Sequence, residues 1–456
     1  MSSSLADPSG EPKSPRGFSR ALGPAIIVAC VVLGPGSILT SSKVGCQFGY
    51  ELIWVLVGAG ILMVGAVATS ARVGVSLEAT PCTELANRLG RPVAALAGIA
   101  VFLIASCFQF SNNLGVLASI EPLLEPGSGG TGSNLQNYLL VGLNVGLIAC
   151  LFGFKKLYQP IEKLMMLLVG LMLIGFAANL LMARPSILSF LGGLLPSLPK
   201  DTSGNFLPIV EEIASPAAAS AVTRRVVDPW IAVQGLIATT FSIAGAFYQA
   251  YLVKEKGWTS ENLRQGLTDS VAGISVLVGI TLMILVTSAS VLSGNIAPTD
   301  LRSVADVAQQ LEPLFGSTAK ILFCVGIFAG AISSFLVNSI VGGTLLADGL
   351  GLDARMDSRW TKLFTVAVLM IGMVVALTTS SEGRVPLIIF AQACTVLGGP
   401  VLAFSLLYLA LQRSTTGTTQ TPVWMIGITS LGSLVVVALA IRTAWTIFLK
   451  IQILGG

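Results

Sequence analysis

The sequence predicts an all-α, polytopic membrane bundle, and two observations carry that prediction. Of the 456 residues, 54% are hydrophobic and only 11% are charged, whereas a soluble domain carries roughly 25% charged residues. A chain this poor in charge cannot cover its surface with polar groups, so lipid must be its solvent. Apolar runs longer than about 18 residues also recur along the whole chain, each long enough as a helix to cross the hydrocarbon core.

Taken in order, residues 1–20, with Ser2, Ser3, Ser4, Pro8, Gly10, Pro12 and Pro15, read as a disordered cytoplasmic tail. A cleaved leader is not expected, because the apolar stretch that follows is too long and lacks a cleavage-like flank. Spans are then expected near 23–48, 52–71, 92–118, 138–154, 161–182, 231–253, 268–292, 318–347, 363–379, 386–411 and 423–449. The first five fall within 21–183 and the next five within 231–411; an external loop, 184–230, separates them, and 412–456 holds the eleventh span and the C-terminus. Basic residues set the orientation. With the N-terminus inside, the internal segments hold Lys13, Arg16, Arg20, Arg72, Arg88, Arg91, Lys155, Lys156, Lys163, Lys254, Lys256, Arg264, Arg355, Arg359, Lys362 and Arg413, which is 16 of the 26 Lys and Arg. An odd number of spans then puts the C-terminus outside.

Composition removes several function classes. Histidine is absent, and with it the commonest general base and transition-metal ligand. The seven cysteines form no CxxC pair, so neither a zinc site nor a disulfide framework is indicated. A net charge of +4 is too small to suggest a nucleic-acid partner. No nucleophile–base constellation stands out, which disfavours a membrane enzyme or receptor. No cofactor is expected; the expected partners are the bilayer and a small ion or small-molecule substrate, with the chain acting as a monomer in the cell membrane.

Two spans are interrupted by helix breakers. Span 1 carries Gly34-Pro35-Gly36-Ser37 at its middle, and span 6, five spans later, carries Ser242-Ile243-Ala244-Gly245-Ala246. Broken helices at matching positions of two halves point to an inverted-repeat transporter with its substrate site at the midplane. A Pro kink in span 1 and a packing glycine in span 6 are the competing explanations.

The run Gly34-Pro35-Gly36-Ser37-Ile38-Leu39-Thr40-Ser41-Ser42-Lys43-Val44-Gly45 resembles the DPGN-x-x-T-D-x-Q-x-G signature of the NRAMP metal-ion transporters. Phe48 through Leu56 and Ala71 through Val75 follow at that family's spacing, and Leu311 through Gly316, Ser333-Ser334, Gln392 and Pro400 match its later stretches. The resemblance implies a LeuT-like fold of two inverted five-helix repeats plus an eleventh span, with substrate at broken helices 1 and 6. It also exposes departures. Gly34 stands where the family has its metal-binding aspartate, Ser37 where it has asparagine, Ser242 at its metal-binding methionine and Gln249 at one of its histidines. Gln109 and Asn112 fall at the acids that carry protons in the family, and Lys43 replaces its glutamine.

The candidate substrate-binding set is therefore Gly34, Gly36, Ser37, Thr40, Ser41, Lys43, Ser242, Gly245, Gln249 and Gln392, with Ser37 and Ser242 nearest a metal and Gln109 and Asn112 as replaced proton-path positions. Interhelical hydrogen bonding is the competing role for the polar members. Hydroxyls, amides and broken-helix carbonyls suit a hydrated, Mg²⁺-like ion better than a dehydrated transition metal. Divalent-cation transport without the family's proton coupling is the leading expectation. The alternative is an anion (carboxylate or bicarbonate) or a metal–anion complex drawn by Lys43. That lysine lies about 9 Å beyond Ser37 on a helix and inside the ~15 Å half-thickness of the core; its competing role is a snorkelling anchor.

Overall fold

A computed structural model describes residues 23–120, 131–153, 157–197, 207–214, 222–228, 230–301, 304–379, 381–412 and 420–455, with the side chains of 381–395 among those left undescribed. The N-terminal tail therefore lies outside the described residues. Every expected span coincides with a helix or a helix pair. Helices α1 (Pro24–Val32) and α2 (Pro35–Phe48) form span 1, α3 (Ile53–Ser76) span 2, and α4 (Pro81–Leu89) a short amphipathic connector. Then come α5 (Arg91–Ile120), α6 (Thr131–Gly153) and α7 (Tyr158–Ala183) as spans 3 to 5. The external excursion holds α8 (Ile187–Gly193) and strands β1 (Ile209–Ala214) and β2 (Val222–Val227). Span 6 is α9 (Ile231–Thr240) with α10 (Ile243–Glu255), and span 7 is α11 (Leu263–Val291). The connector α12 (Val304–Phe315) precedes α13 (Ser317–Gly349), α14 (Arg359–Thr378), α15 (Ser381–Leu411) and α16 (Val423–Gly455), spans 8 to 11.

Among the described residues, eight helices are long and apolar enough to cross a membrane, and the α1–α2 pair, bent by 63°, makes a ninth. Shorter apolar stretches at Asn137–Gly153 and Val396–Leu411 occupy spans 4 and 10. The repeat shows in the connectors: α4 links spans 2 and 3 as α12 links spans 7 and 8, and both are amphipathic.

One departure from an all-α chain is the antiparallel β1–β2 hairpin, whose register sets Glu211 opposite Arg225 and Glu212 opposite Arg224. The hairpin is anchored on α16: the Trp445 indole N–H donates to the Pro208 carbonyl at 3.2 Å, and Arg442 pairs with Asp228. The eleventh span, outside the repeats, thus holds the entry to span 6.

The core is centred on α1, all nine of whose residues are buried. Glycines let the helices around it approach to backbone contact. A Cβ on Gly45 would lie 2.3 Å from the Leu285 carbonyl oxygen, so α2 and α11 touch where no other residue fits. Gly98 and Gly349 do the same for α5 and α13, the small-residue packing expected where lipid supplies no hydrophobic drive between helices.

Candidate substrate site at the broken helices

Span 1 breaks because of Pro35. Its ring nitrogen carries no hydrogen, so the carbonyl four residues earlier, Val31, loses its helical donor. Span 8 takes over: Asn338 Nδ2 donates to the Val31 carbonyl at 3.0 Å and Ser334 Oγ at 3.3 Å. Pro35 itself is well placed in the first turn of α2 and packs onto Gly115 of α5, where a Cβ would lie 1.9 Å from its ring. Ser37 then seals the new helix start, since its hydroxyl donates to the Gly34 carbonyl at 2.8 Å and accepts from the Gly34 N–H at 3.2 Å.

Span 6 breaks without a proline and one step earlier than expected. The α9 helix ends at Thr240, and Ile243 through Ala246 already lie in α10. Ser242 is the N-cap, its Oγ accepting from the Gly245 N–H at 3.3 Å. A serine thus serves each inner break in a different way: Ser242 is the N-cap of α10, a role worth about 1 kcal/mol, whereas Ser37 is the third residue of α2 and reaches back to its N-cap, Gly34. Gly245 brings the two together: a Cβ there would lie 3.3 Å from Val31 Cγ1 and 3.5 Å from Val28 Cγ1. A small, open pocket reaches Ser242 between spans 3, 6, 10 and 11, walled by apolar groups such as Phe108, Phe241 and Val436.

The expected set divides. Gly34, Gly36 and Ser37 sit at the first break, with Asn112 beside it: its Oδ1 lies 3.3 Å from where a Gly34 Cβ would stand. Ser242 and Gly245 sit at the second. Thr40 faces α9, its methyl 3.1 Å from the Cβ position of Gly235. Ser41 is buried, with a hydroxyl that meets no described partner. Gln109 is buried and donates through Nε2 to the Phe335 carbonyl at 3.1 Å, an interhelical bond. Gln249 is not at the break; it lies deeper along α10, donating to Asp269 Oδ2 at 3.3 Å. Lys43 is half-buried on α2 within electrostatic reach of Asp306 on the connector α12. The Gln392 side chain lies outside the described residues.

Two groups of functional interest lie outside the expected site set. Ser334 and Asn338 are buried on α13 at the break; their signal was a pair of polar residues four apart in an apolar span, one helical turn on one face. Asp269 and Asp348 lie near the ends of α11 and α13, and both are buried and cap other helices. Asp269 accepts the Ala25 N–H at 2.9 Å and the Gly23 N–H at the start of α1. Asp348 accepts the Cys82 N–H at 2.9 Å at the start of α4, and hydroxyls of Thr80 at 2.6 Å, Thr83 at 2.6 Å and Tyr251 at 2.7 Å. Helix N-termini favour negative charge, which explains why these carboxylates are tolerated there. Among the described residues no three His, Cys, Asp or Glu side chains converge.

A bundle of two broken half-helices joined at the middle of the membrane is the architecture of a carrier. The family model described as "Natural resistance-associated macrophage protein-like" matches residues 25–446. The chain belongs to the Nramp family, and it is a multi-pass membrane transporter and not an enzyme. It is 22% identical over 433 residues to a protein of Xanthomonas campestris named divalent metal cation transporter MntH, covering 93% of this chain and 90% of that one. A namesake from Aeromonas hydrophila is 26% identical over 339 residues, covering 71% of this chain and 72% of its own length. Among solved structures, the manganese transporter of Eremococcus coleocola superposes with a TM-score of 0.73 at 19% identity, over 94% of this chain and 87% of that one. The transporter MhsT, solved with L-phenylalanine, superposes at 0.53 with 16% identity, over 92% and 98% of the two chains, a likeness of the LeuT-type fold alone.

Proposed function

We propose that this chain carries a divalent cation of the Mg²⁺ or Mn²⁺ kind, with part of its hydration shell retained, through a site between the breaks of spans 1 and 6. The observation that carries the reading is the chemistry of the first break: among the described residues the side chains that crowd Gly34, Ser334 and Asn112, are neutral, and the oxygens offered are hydroxyl, amide and carbonyl. Such oxygens suit an ion that keeps several of its waters, whereas stripping a transition metal needs carboxylate or sulfur. The names of the relatives favour a divalent metal over an anion. With Gln109 and Asn112 unable to exchange protons, transport proceeds without the family's proton coupling. The distribution of basic residues supports a cytoplasmic N-terminus and an external C-terminus in the cell membrane, and the protein works as a monomer.

Calorimetry on the purified protein tests the metal choice. Affinities for Mg²⁺, Ca²⁺ and Mn²⁺ should lie within about tenfold of one another, as an oxygen-only site with no soft ligand implies. Selective Mn²⁺ binding in the low micromolar range would defeat the reading.

A further inference from the structure

We infer that Ser334, on span 8, is a specificity-determining residue that supplies the substrate-facing oxygen at the break of span 1, in the place a side chain at position 34 would fill. The inference rests on the neutral-site reading above. A Cβ built on Gly34 would stand 2.8 Å from Ser334 Oγ and 3.2 Å from Ser334 Cβ, with Asn112 Oδ1 at 3.3 Å. The space beside the unwound backbone is thus already taken by oxygens from spans 8 and 3.

The hydrogen bonds of Ser334 fix what that oxygen can do. Its one proton is directed to the Val31 carbonyl at 3.3 Å, and one lone pair accepts from Asn338 Nδ2 at 2.9 Å, whose two protons are shared with the Ser334 carbonyl at 3.0 Å and the Val31 carbonyl. A hydroxyl has two lone pairs, so one remains, on an oxygen polarised by both bonds and lying against Gly34. Asn338 Nδ2 also donates to the Val31 carbonyl at 3.0 Å, so the freed carbonyl keeps a donor when the serine hydroxyl is removed. Holding the break and facing the substrate are therefore separable, and Ser334 carries the second task as a hard, neutral oxygen that selects against soft ions.

The test exchanges that oxygen for sulfur. Purified wild type and Ser334→Cys are titrated with Mg²⁺ and with Cd²⁺ by calorimetry, the native cysteines being common to both. A ratio of Cd²⁺ to Mg²⁺ affinity at least threefold higher in Ser334→Cys supports the inference, because a group that only holds the helix would not change ion softness. A smaller change, with wild type still binding Mg²⁺, overturns it and leaves the neutral-site reading standing. Wild type that binds no divalent ion sinks the neutral-site reading first, and the inference with it. Should Ser334→Cys fail to fold, Ser334→Ala decides instead: Mg²⁺ affinity falls at least threefold if Ser334 is a ligand, and a smaller loss overturns the assignment.

Discussion

At position 34 the absence of a side chain is itself a constraint. A side chain there would press on Ser334 and Asn112, which crowd the Cβ position. Restoring an acid by Gly34→Asp should cost about 1–3 kcal/mol of stability through overpacking, and should confer Mn²⁺ preference only when Ser334→Gly makes room. Thermal unfolding in detergent and calorimetry check both halves; a well-folded, Mn²⁺-selective single variant would contradict the geometry. Lys43 gives a second residue-scale expectation. A unit charge about 9 Å from the site is worth ~2 kcal/mol at an effective dielectric near 20, and the Asp306 carboxylate acts against it in part. Lys43→Gln should therefore raise Mg²⁺ uptake only modestly, and Asp306→Asn, which uncovers the lysine, should lower it more. Equal, large losses in both variants would revive the anionic substrate.

Among the elements, the half-helices are held from both ends. Ser37 and Ser242 cap α2 and α10, Asp269 caps α1, and α10 is further tied through Tyr251 to Asp348 and through Glu255 Oε1, which accepts the Met356 N–H at 2.6 Å. Ser242→Ala should destabilise by about 1 kcal/mol, the usual worth of an N-cap, and Ser37→Ala by more, since its hydroxyl serves both backbone groups of Gly34. Lowered midpoints of thermal unfolding, ordered in that way, are the expected result; no change in either would show that the breaks do not depend on their caps. The placement of these elements was largely legible in the sequence, because apolar length and the Gly34-Pro35 pair are local signals. The caps were not. Asp269 reaches Ala25 across 244 residues, and nothing within a window of sequence reports such a partner. Span 6 shows the same limit: glycine and serine marked a weak segment near 242–246, but the unwound step lies at Phe241 and Ser242, fixed by packing.

For the molecule as a whole, the family's fold is kept, while the run from Gly34 to Lys43 departs from the signature it resembles. The connectors, the backbone contacts at Gly45 and Gly98, and the docking of α16 on the entry to span 6 all hold the bundle around its two broken spans. The site was only partly legible. Gly34, Ser37 and Ser242 could be found from their breaks, whereas Ser334 and Asn338 required knowing which face of span 8 meets Val31, and Gln249 was drawn away to Asp269. The central claim is a neutral site that moves divalent cations with no protons in tow. Proteoliposomes loaded with a pH dye, energised by an inward Mg²⁺ or Mn²⁺ gradient, test it most directly. The account predicts uptake of both ions at comparable rates with no lumenal acidification above leak; Mn²⁺-selective uptake accompanied by acidification would contradict it.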